Sequence, residues 1–413
     1  MRKKCGLLGK KLGHSFSPRI HSFLGDYEYE IYEKTEDELE NFIKNGDWDG
    51  LNVTIPYKKE VIKFTDEVSD VVKELGSINT LVKRNGKIYG DNTDVYGFEM
   101  LLSFSGIDVS NKKTLILGSG GASVSVKYAL EKAGAKVTII SRSGENNYDN
   151  LYRNIDAEII VNTTPVGMYP DNLKAPLDIS QFNKCEAVFD IIYNPLKTKL
   201  MLDAKKCGIK TYNGLYMLVA QAKKSSEIFT GTQIDKGVIS EINSKLENDK
   251  RNIILIGMPG CGKSTVGKEL SDITGKEMFD SDTEIFRVTG RKPSEIIIND
   301  GEEKFRSIET EVLKELGRKS GIILATGGGC VTREENYEIL HQNGTVVRVE
   351  RNIDKLATND RPLSAEGLKE LAEKREKMYS GFADFCVKND KNPKDAAERI
   401  LSIMNKGEFL YEK

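Results

Sequence analysis

Short runs of apolar, often β-branched residues alternate with longer amphipathic stretches along almost the whole chain. Such apolar runs are typical of strands buried on both faces of a parallel sheet, and the stretches between them are typical of crossover helices. The pattern therefore predicts an α/β protein built on parallel sheets. The predicted strands are residues 114–117, 136–140, 158–161, 187–190, 252–256, 321–324 and 345–349.

Charge and composition exclude several classes of protein. The chain has 61 Lys plus Arg and 63 Asp plus Glu, a net charge of -2, so no basic surplus favours nucleic acid. No apolar run approaches the roughly 20 residues of a membrane span, and no apolar stretch follows the basic start as in a signal peptide. The 6 cysteines form no C-x-x-C pair. Reduced thiols and a cytoplasmic location are therefore expected.

A glycine-rich turn at residues 257–264 fits the G-x-x-x-x-G-K-[ST] pattern and lies between a predicted strand and a predicted helix. Glycines in such a turn let backbone N–H groups surround a phosphate. Lys263 can neutralise the outer phosphates, and the Ser264 hydroxyl can hold Mg²⁺. The predicted nucleotide-binding residues are Gly257, Gly260, Cys261, Gly262, Lys263, Ser264 and Thr265.

Charged residues that follow this turn could receive an acceptor. Asp280 and Asp282 stand where a second strand should end, and either could lie near a metal or an acceptor hydroxyl. Arg306 shares a predicted helix face with Phe305 and Glu309. Three other interpretations stay open: Asp280 as a helix N-cap, Arg306 in a surface salt bridge, and Arg361 as a loop-closing residue. Further candidates are Gly327, Gly328, Gly329, Arg361 and Arg375.

Residues 252 to about 405 resemble shikimate kinase through these motifs. The resemblance implies ATP and Mg²⁺ as cofactors, Lys263 as a catalytic cation, and Asp280 near the metal. It implies that Asp282 orients or deprotonates the acceptor hydroxyl of shikimate. Arg306 and Arg375 would bind the carboxylate of shikimate. The backbone of Gly327, Gly328 and Gly329 would lie beside its ring, and Arg361 would be the cation of the lid.

The predicted lid departs from that family. The segment before Arg361 is shorter than usual, lacks a second arginine and carries Asp360, and Ser364 replaces a usual leucine. Lid closure excludes water and completes the charge clamp in enzymes of this kind. We therefore expect ready ATP binding with slower turnover.

A second glycine-rich turn follows the strand at 114–117 and suits a dinucleotide pyrophosphate at the start of a helix. Its residues are Gly118, Gly120, Gly121 and Ala122. The next strand ends at Arg142, with no acid to accept a ribose hydroxyl. This favours NADP(H) over NAD, although Glu145 in the same loop would repel a 2′-phosphate.

Short polar side chains before residue 100 suit a polyhydroxylated small molecule. Ser15 and Ser17 are expected on one side of an extended piece. Asn52, Thr54 and Lys58 follow an alternating pattern that could turn all three toward one pocket. Two later segments, 76–80 and 90–94, add Asn79 and Asp94.

Residues 5 to about 245 resemble shikimate dehydrogenase, with further matching motifs at 161–168, 190–195 and 213–222. The resemblance implies Lys58 and Asp94 as the acid/base pair. The residues that would hold the ring are Ser15, Ser17, Asn52, Thr54, Asn79, Tyr193 and Gln221. Those that would hold NADP(H) are Gly118, Gly120, Gly121, Ala122 and Arg142, with Gly214 and Met217 beside the nicotinamide.

These resemblances predict a bifunctional enzyme that makes shikimate from 3-dehydroshikimate and then phosphorylates it. The alternative is a quinate/shikimate dehydrogenase fused to a catalytically weak or regulatory kinase-like module. Oligomeric state is left open. The predicted domains are a substrate domain (1–95, completed by a returning helix within 213–245), a Rossmann-like domain (96–212), a flexible or semi-rigid linker (246–251) and a P-loop domain (252–413).

Overall fold

The computed structural model describes residues 2–13, 15–353, 356 and 365–406. The chain divides into two compact units. The first comprises Met1–Met168, Lys174–Tyr193 and Asp203–Leu246, and the second comprises Tyr169–Leu173, Asn194–Leu202 and Glu247–Lys413. Within the described part of the chain, none of the helices combines the length and the apolar character needed to cross a membrane.

The first unit begins with a mixed six-stranded sheet in the order β2-β1-β3-β5-β6-β4. Its strands are β1 (Lys4–Gly9), β2 (Glu28–Glu33), β3 (Gly50–Val53), β4 (Glu67–Val68), β5 (Thr80–Arg84) and β6 (Lys87–Asp91). β5 runs antiparallel to β3 and β6, and the other pairs are parallel. Helices α1 (Ser17–His21), α2 (Glu36–Asn45) and α3 (Asp70–Leu75) and a 3₁₀ helix (Glu60–Phe64) connect the strands.

A second sheet in the same unit is parallel throughout, in the order β11-β10-β9-β7-β8. Its strands are β7 (Lys113–Leu117), β8 (Lys136–Ile140), β9 (Ile159–Asn162), β10 (Ala187–Asp190) and β11 (Lys210–Asn213). The helices of this region are α4 (Asp94–Ser105) and α5 (Gly121–Lys132), with 3₁₀ helices Tyr148–Asn154 and Ile179–Gln181. Helix α6 (Lys199–Lys206) has its first half in the residues of the second unit and its second half in those of the first. The predicted strands of this sheet are confirmed to within about one residue at each end.

Two helices, rather than the single returning helix expected, follow β11. They are α7 (Leu215–Thr230) and α8 (Gly237–Lys250). Gly231, with φ of 76°, ends α7 in the left-handed conformation that favours glycine. α7 packs against α1, α4 and β5, and so reaches the first sheet. The predicted linker is helical up to Lys250, and β12 begins two residues later.

The second unit holds a five-stranded parallel sheet in the order β13-β14-β12-β15-β16. Its strands are β12 (Asn252–Ile256), β13 (Met278–Asp280), β14 (Ile323–Ala325), β15 (Gly344–Glu350) and β16 (Phe385–Lys388). Its helices are α9 (Lys263–Thr274), α10 (Ser281–Thr289), α11 (Pro293–Asp300), α12 (Glu302–Arg318), α13 (Glu335–His341), α14 (Ala365–Phe382) and α15 (Pro393–Lys406), with a 3₁₀ helix Cys330–Thr332.

Side chains of β12 alternate between two hydrophobic clusters. Ile254 and Ile256 belong to the cluster that includes Phe305 of α12, whereas Ile253 and Leu255 belong to the cluster that includes Val266 of α9. Both faces of this strand are therefore covered, which explains its uninterrupted apolar sequence. The carboxyl ends of such parallel strands are where α/β proteins place their ligand sites.

Candidate active sites

Lys58 and Asp94 form a close ion pair in the first unit. Lys58 follows β3, and Asp94 is the first residue of α4. The Lys58 Nζ lies 2.5 Å from the Asp94 Oδ2, and both side chains are largely buried. The Asn79 amide donates to the other carboxylate oxygen of Asp94 at 2.8 Å. Three predicted site residues therefore meet, and an ammonium group is available beside a carboxylate that can share its proton.

Buried hydroxyls extend this cluster toward Asn52. Asn52 accepts a hydrogen bond from the Tyr29 hydroxyl at 2.7 Å and donates to Ser225 at 2.7 Å. Ser225 in turn lies within hydrogen-bond distance of Thr80 and Thr93. The sequence pattern did not indicate Ser225, Thr80, Thr93 or Tyr29 as site residues. The available signal for Ser225 was its spacing of four from Gln221, which places both on one face of α7.

Ser17 was expected in an extended segment, but it is the first residue of α1. Pro18 in the first turn fits this start, because proline lacks the N–H group that a helix leaves unpaired there. The Ser15 hydroxyl accepts the Ser17 N–H at 3.2 Å. Between these serines, Phe16 meets the ring of Tyr193 edge-on, with centroids 5.7 Å apart. Burial raises the pKa of the Tyr193 hydroxyl.

Thr54 and Gln221 complete the predicted substrate residues. Thr54 follows β3 and is half-buried, and its backbone N–H donates to Leu8 at 2.9 Å. The Gln221 amide donates to Leu218 within α7 at 3.0 Å, and its oxygen lies 3.4 Å from the Thr93 hydroxyl. Gln221 is therefore joined to the Asn79 cluster through Thr93, whereas Thr54 contacts the end of β1 through Leu8.

The turn from β7 to α5 leaves room for a phosphate group. Gly118 has φ of 101°, and a Cβ there would press on Thr164. Gly120 is the N-cap of α5 without a side-chain cap, and Gly121 and Ala122 form the first turn. A Cβ on Gly120 or Gly121 would meet nothing within 4 Å. This open helix N-terminus fits the pyrophosphate of a dinucleotide.

Arg142 lies exposed in the loop after β8, near Tyr148. Burial raises the pKa of the Tyr148 hydroxyl, and the positive charge of Arg142 opposes that rise. Glu145 is in the same loop, and its backbone oxygen accepts from the Asn150 amide at 2.8 Å. The guanidinium of Arg142 is accessible to a ribose phosphate, and so is the carboxylate that would oppose it.

Gly214 and Met217 begin α7. A Cβ on Gly214 would overlap the backbone carbonyl of Ile191. Only glycine therefore lets the backbone at the start of α7 pack so closely against the segment that follows β10. Met217 is buried, and its backbone oxygen lies against Gly97 of α4.

The turn from β12 to α9 in the second unit has the backbone geometry of a phosphate-binding loop. Gly257, Gly260 and Gly262 have φ values of 143°, 84° and 96°. The Lys263 ammonium is buried and donates to the carbonyls of Gly257 and Met258 at 2.9 and 3.1 Å. Ser264 and Thr265 follow in the first turn of α9, whereas Cys261 is buried and its carbonyl accepts from Asn389.

Asp280 links this loop to α10. Its Oδ2 accepts from the Ser264 hydroxyl at 2.6 Å, and its Oδ1 caps α10 through the N–H groups of Asp282 and Thr283. The helix-cap interpretation of Asp280 is therefore correct, and it leaves the second oxygen beside Ser264. A hydroxyl and a carboxylate oxygen are ligands that Mg²⁺ accepts together with phosphate and water.

Gly327, Gly328 and Gly329 follow β14 and lie among charged side chains. A Cβ on Gly327 would approach carboxylate oxygens of Glu309 and Asp282, one on Gly328 would press on Pro259, and one on Gly329 would overlap the Arg306 guanidinium. The Gly328 carbonyl accepts from Arg375 at 3.0 Å and from the Tyr379 hydroxyl at 2.5 Å. The glycine loop thus brings Asp282, Arg306 and Arg375 to one place.

Arg306 is buried rather than part of a surface salt bridge. It pairs with Glu309 at 2.7 Å and with Glu302 at 3.0 Å. Burial raises the pKa of the Glu309 carboxyl, and Arg306 opposes that rise. The Glu309 Oε1 has no hydrogen-bond partner among the described residues. Arg361, the predicted lid cation, lies outside the described residues.

Known proteins match the N-terminal and C-terminal parts of the chain separately. Residues 7–81 match the family model for the shikimate dehydrogenase substrate binding domain, and residues 259–405 match the model for shikimate kinase. A shikimate dehydrogenase (NADP(+)) from Clostridium perfringens is 35% identical over 267 residues, covering 59% of this chain and 98% of the relative.

Two solved structures resemble the dehydrogenase portion of the chain. A chorismate mutase/shikimate 5-dehydrogenase fusion protein from Clostridium acetobutylicum has a TM-score of 0.58 and 36% identity, covering 60% of this chain and 98% of that one. Shikimate 5-dehydrogenase from Thermus thermophilus, in complex with NADP(H) and shikimate, has a TM-score of 0.55 and 29% identity, covering 59% and 99%.

The fold and the two glycine turns define a dinucleotide-dependent oxidoreductase joined to a P-loop phosphotransferase. The chain belongs to the shikimate dehydrogenase family and carries a shikimate kinase domain over residues 259–405. The α/β class predicted from the strand pattern is confirmed.

Proposed function

We propose that this chain reduces 3-dehydroshikimate to shikimate and then phosphorylates shikimate to shikimate 3-phosphate. The observation that carries the proposal is the presence, in one chain, of a dehydrogenase family match and a kinase family match that share shikimate. The alternative of a weak or regulatory kinase-like module is not favoured, because the phosphate loop, its lysine and its Ser264–Asp280 pair are all in place.

Lys58 and Asp94 would manage the proton of the reduction. NADPH supplies the hydride when bound, and ATP with Mg²⁺ supplies the phosphoryl group in the second reaction. The Lys58 ammonium donates to the Asp94 carboxylate, so a proton can be given to a ketone oxygen placed beside this pair. Asn79 fixes the carboxylate through its other oxygen. We assign Ser15, Ser17, Asn52, Thr54, Tyr193 and Gln221 to binding the ring.

The kinase residues provide charge and position. Asp282 lies beside Gly327, where it can orient an acceptor hydroxyl and take its proton. Arg306 and Arg375 flank the same glycine loop and supply cations for the substrate carboxylate. Lys263 is held over the loop carbonyls until phosphates compete for it. Catalysis of this kind is mostly positioning and charge neutralisation.

Dinucleotide preference and cellular location complete the proposal. Arg142 would bind the 2′-phosphate, in keeping with the NADP(+) named for the relative. We assign the protein to the cytoplasm because its 6 cysteines are spread along the chain without a C-x-x-C pair, which fits a reducing compartment. Its partners are small-molecule substrates rather than nucleic acid or membrane.

Incubation of the full chain with 3-dehydroshikimate, NADPH, ATP and Mg²⁺, followed by mass analysis, tests the proposal. The expected product is shikimate 3-phosphate. Without ATP the reaction should stop at shikimate, and without NADPH nothing should form. Loss of NADPH absorbance without any phosphorylated product would leave only the dehydrogenase, and faster reduction of 3-dehydroquinate would favour the quinate alternative.

A further inference from the structure

The hydroxyl of Ser225 lies at the centre of a buried hydrogen-bond network in the first unit. It accepts from the Asn52 amide at 2.7 Å, and it lies 2.9 Å from the Thr80 hydroxyl and 3.0 Å from the Thr93 hydroxyl. Ser225 and Thr80 have no exposed surface, and Thr93 has almost none. Three separate elements, β3, β5 and the start of α4, therefore meet at one α7 side chain.

This network leads from Ser225 to the catalytic carboxylate. Thr80 and Thr93 both lie within hydrogen-bond distance of the Asn79 oxygen, at 3.0 and 3.2 Å. The Asn79 amide then donates to the Asp94 Oδ1. The amide of Asn79 has one favourable orientation, because its oxygen accepts from the Thr93 backbone N–H at 2.7 Å. Its nitrogen donates to the Asp94 carboxylate and also to the Thr93 hydroxyl, at 3.0 Å.

Donor counting shows how fully the Ser225 hydroxyl is used. A serine hydroxyl has one hydrogen to donate and two lone pairs. Its neighbours are the Asn52 amide, two threonine hydroxyls and the Gln221 carbonyl, at 3.0 Å. The hydrogen satisfies the carbonyl or a threonine, and the lone pairs receive Asn52 and another hydroxyl. Removal of this oxygen leaves the buried Asn52 amide nitrogen with only the long 3.4 Å bond to Thr80 in the described part of the chain.

We propose that Ser225 is a positioning residue for the reduction, which holds the substrate-binding amide of Asn52 and the Asn79–Asp94 pair in one fixed arrangement. It acts through these residues and needs no contact with substrate. The inference rests on the proposed dehydrogenase function and adds to it a residue of α7 one turn beyond Gln221.

Ser225→Ala in the full chain tests this role against a matched control. Ser226 is the next residue, is also fully buried, and its hydroxyl contacts Leu24 at 3.4 Å outside the network. Steady-state kinetics with varied 3-dehydroshikimate and varied NADPH should show, for Ser225→Ala, a KM for 3-dehydroshikimate about tenfold higher and a several-fold lower kcat. The KM for NADPH should not change. Ser226→Ala should leave all three constants at wild-type values.

The free energy of unfolding of each variant shows whether a loss of activity comes from misplaced site residues or from a destabilised fold. Trp48 is the single tryptophan of the chain and lies in the core of the first sheet, so its fluorescence reports unfolding of that region. Equal loss of activity in both variants, or wild-type kinetics for Ser225→Ala, would overturn the inference. If Ser225→Ala does not fold, Thr80→Val removes a neighbouring hydroxyl with nearly equal volume and should raise the same KM. Unchanged kinetics in Thr80→Val would then overturn it.

The wild-type measurement distinguishes the two levels of inference. If the unaltered chain does not reduce 3-dehydroshikimate, the proposed function fails. If the unaltered chain is active and Ser225→Ala behaves as Ser226→Ala does, only the positioning role fails.

Discussion

The Lys58–Asp94 pair makes a prediction at the scale of single residues. Lys58→Met should keep the packing of the stem but remove the ammonium, and we expect kcat for reduction to fall by roughly 10²–10⁴-fold. Lys59 is the matched control, since it is the adjacent lysine and is exposed. Lys59→Met should retain wild-type kinetics, as measured by NADPH oxidation. Near-normal kcat in Lys58→Met would exclude this pair as the proton source.

His21 predicts a pH dependence of stability. It is buried and stacks on Tyr29, with ring centroids 3.9 Å apart, and burial lowers its pKa to about 3. As the pH falls, His21 therefore takes up a proton at a higher pH in the unfolded chain than in the folded one. The stability that neutral His21 contributes is present above pH about 6.5 and is lost as the pH falls toward 3, by up to about 1.4 kcal/mol per pH unit.

His21→Phe tests this linkage because it keeps the stacked ring and removes the titrating nitrogen atoms. Between pH 7 and 5, the wild-type free energy of unfolding should fall by about 2 kcal/mol more than that of the variant. Urea titration of Trp48 fluorescence at both pH values measures the difference. Carboxylates contribute equally to the pH dependence of both proteins. If the unfolding free energies of the two proteins fell in parallel, His21 would take up its proton as readily in the folded chain as in the unfolded chain, and the prediction would be wrong.

The turn between β7 and α5 makes a prediction at the scale of elements. Gly121 stands in the first turn of α5, and a Cβ there would meet nothing within 4 Å. Gly121→Ala should therefore leave thermal stability unchanged or slightly increased, since alanine favours a helix. If a dinucleotide phosphate fills this space, the KM for NADPH should rise about tenfold or more.

Gly118→Ala provides the contrast for this turn. Its φ of 101° and its contact with Thr164 mean that a side chain there strains the protein itself, and we expect a loss of about 1 kcal/mol or more in stability. Unchanged NADPH kinetics in Gly121→Ala would show that the cofactor phosphate lies elsewhere.

Helix ends explain where the predicted elements differ from the observed ones. The stretch expected as one returning helix becomes α7 and α8 because Gly231 ends the first of them. The predicted linker is polar, but it forms the last turns of α8. Only Asn248 and Asp249 of this linker are exposed, whereas Leu246 and Lys250 are buried, so polar composition did not distinguish a loop from a partly buried helix end.

Two consecutive reactions in one chain make a prediction for the whole molecule. We expect two independent sites, with shikimate diffusing freely between them. In a coupled assay from 3-dehydroshikimate, shikimate should accumulate first and shikimate 3-phosphate should appear after a lag. Lys263→Met should stop the reaction at shikimate while reduction continues at the wild-type rate, because Lys263 lies in the phosphate loop of the second unit.

Added isotope-labelled shikimate serves as the competitor in that assay. It should enter most of the shikimate 3-phosphate if diffusion is free. Product formation without a lag, with little label from the added shikimate, would contradict independent sites.

Local patterns were enough to predict much of this protein. Buried parallel strands leave continuous apolar runs, and phosphate loops need glycines at fixed spacings between a strand and a helix. For that reason the α/β class, seven strands of the two parallel sheets and both glycine turns are predictable from residues close together in the chain, whereas β11 (Lys210–Asn213) and β16 (Phe385–Lys388) were not predicted. The resemblance of these motifs to two enzyme families then implied the enzyme class and the cofactors.

Packing between distant segments decided the rest. Asn52 and Ser225 are 173 residues apart, and Lys58 and Asp94 are 36 apart, yet each pair shares a short hydrogen bond. No local periodicity encodes such partners, because they depend on how α7 lies against the first sheet and on how α4 begins beside it. The buried hydroxyls around Asn79 and Asp94, and the burial of Arg306 against Glu309, became evident only once these elements were placed together.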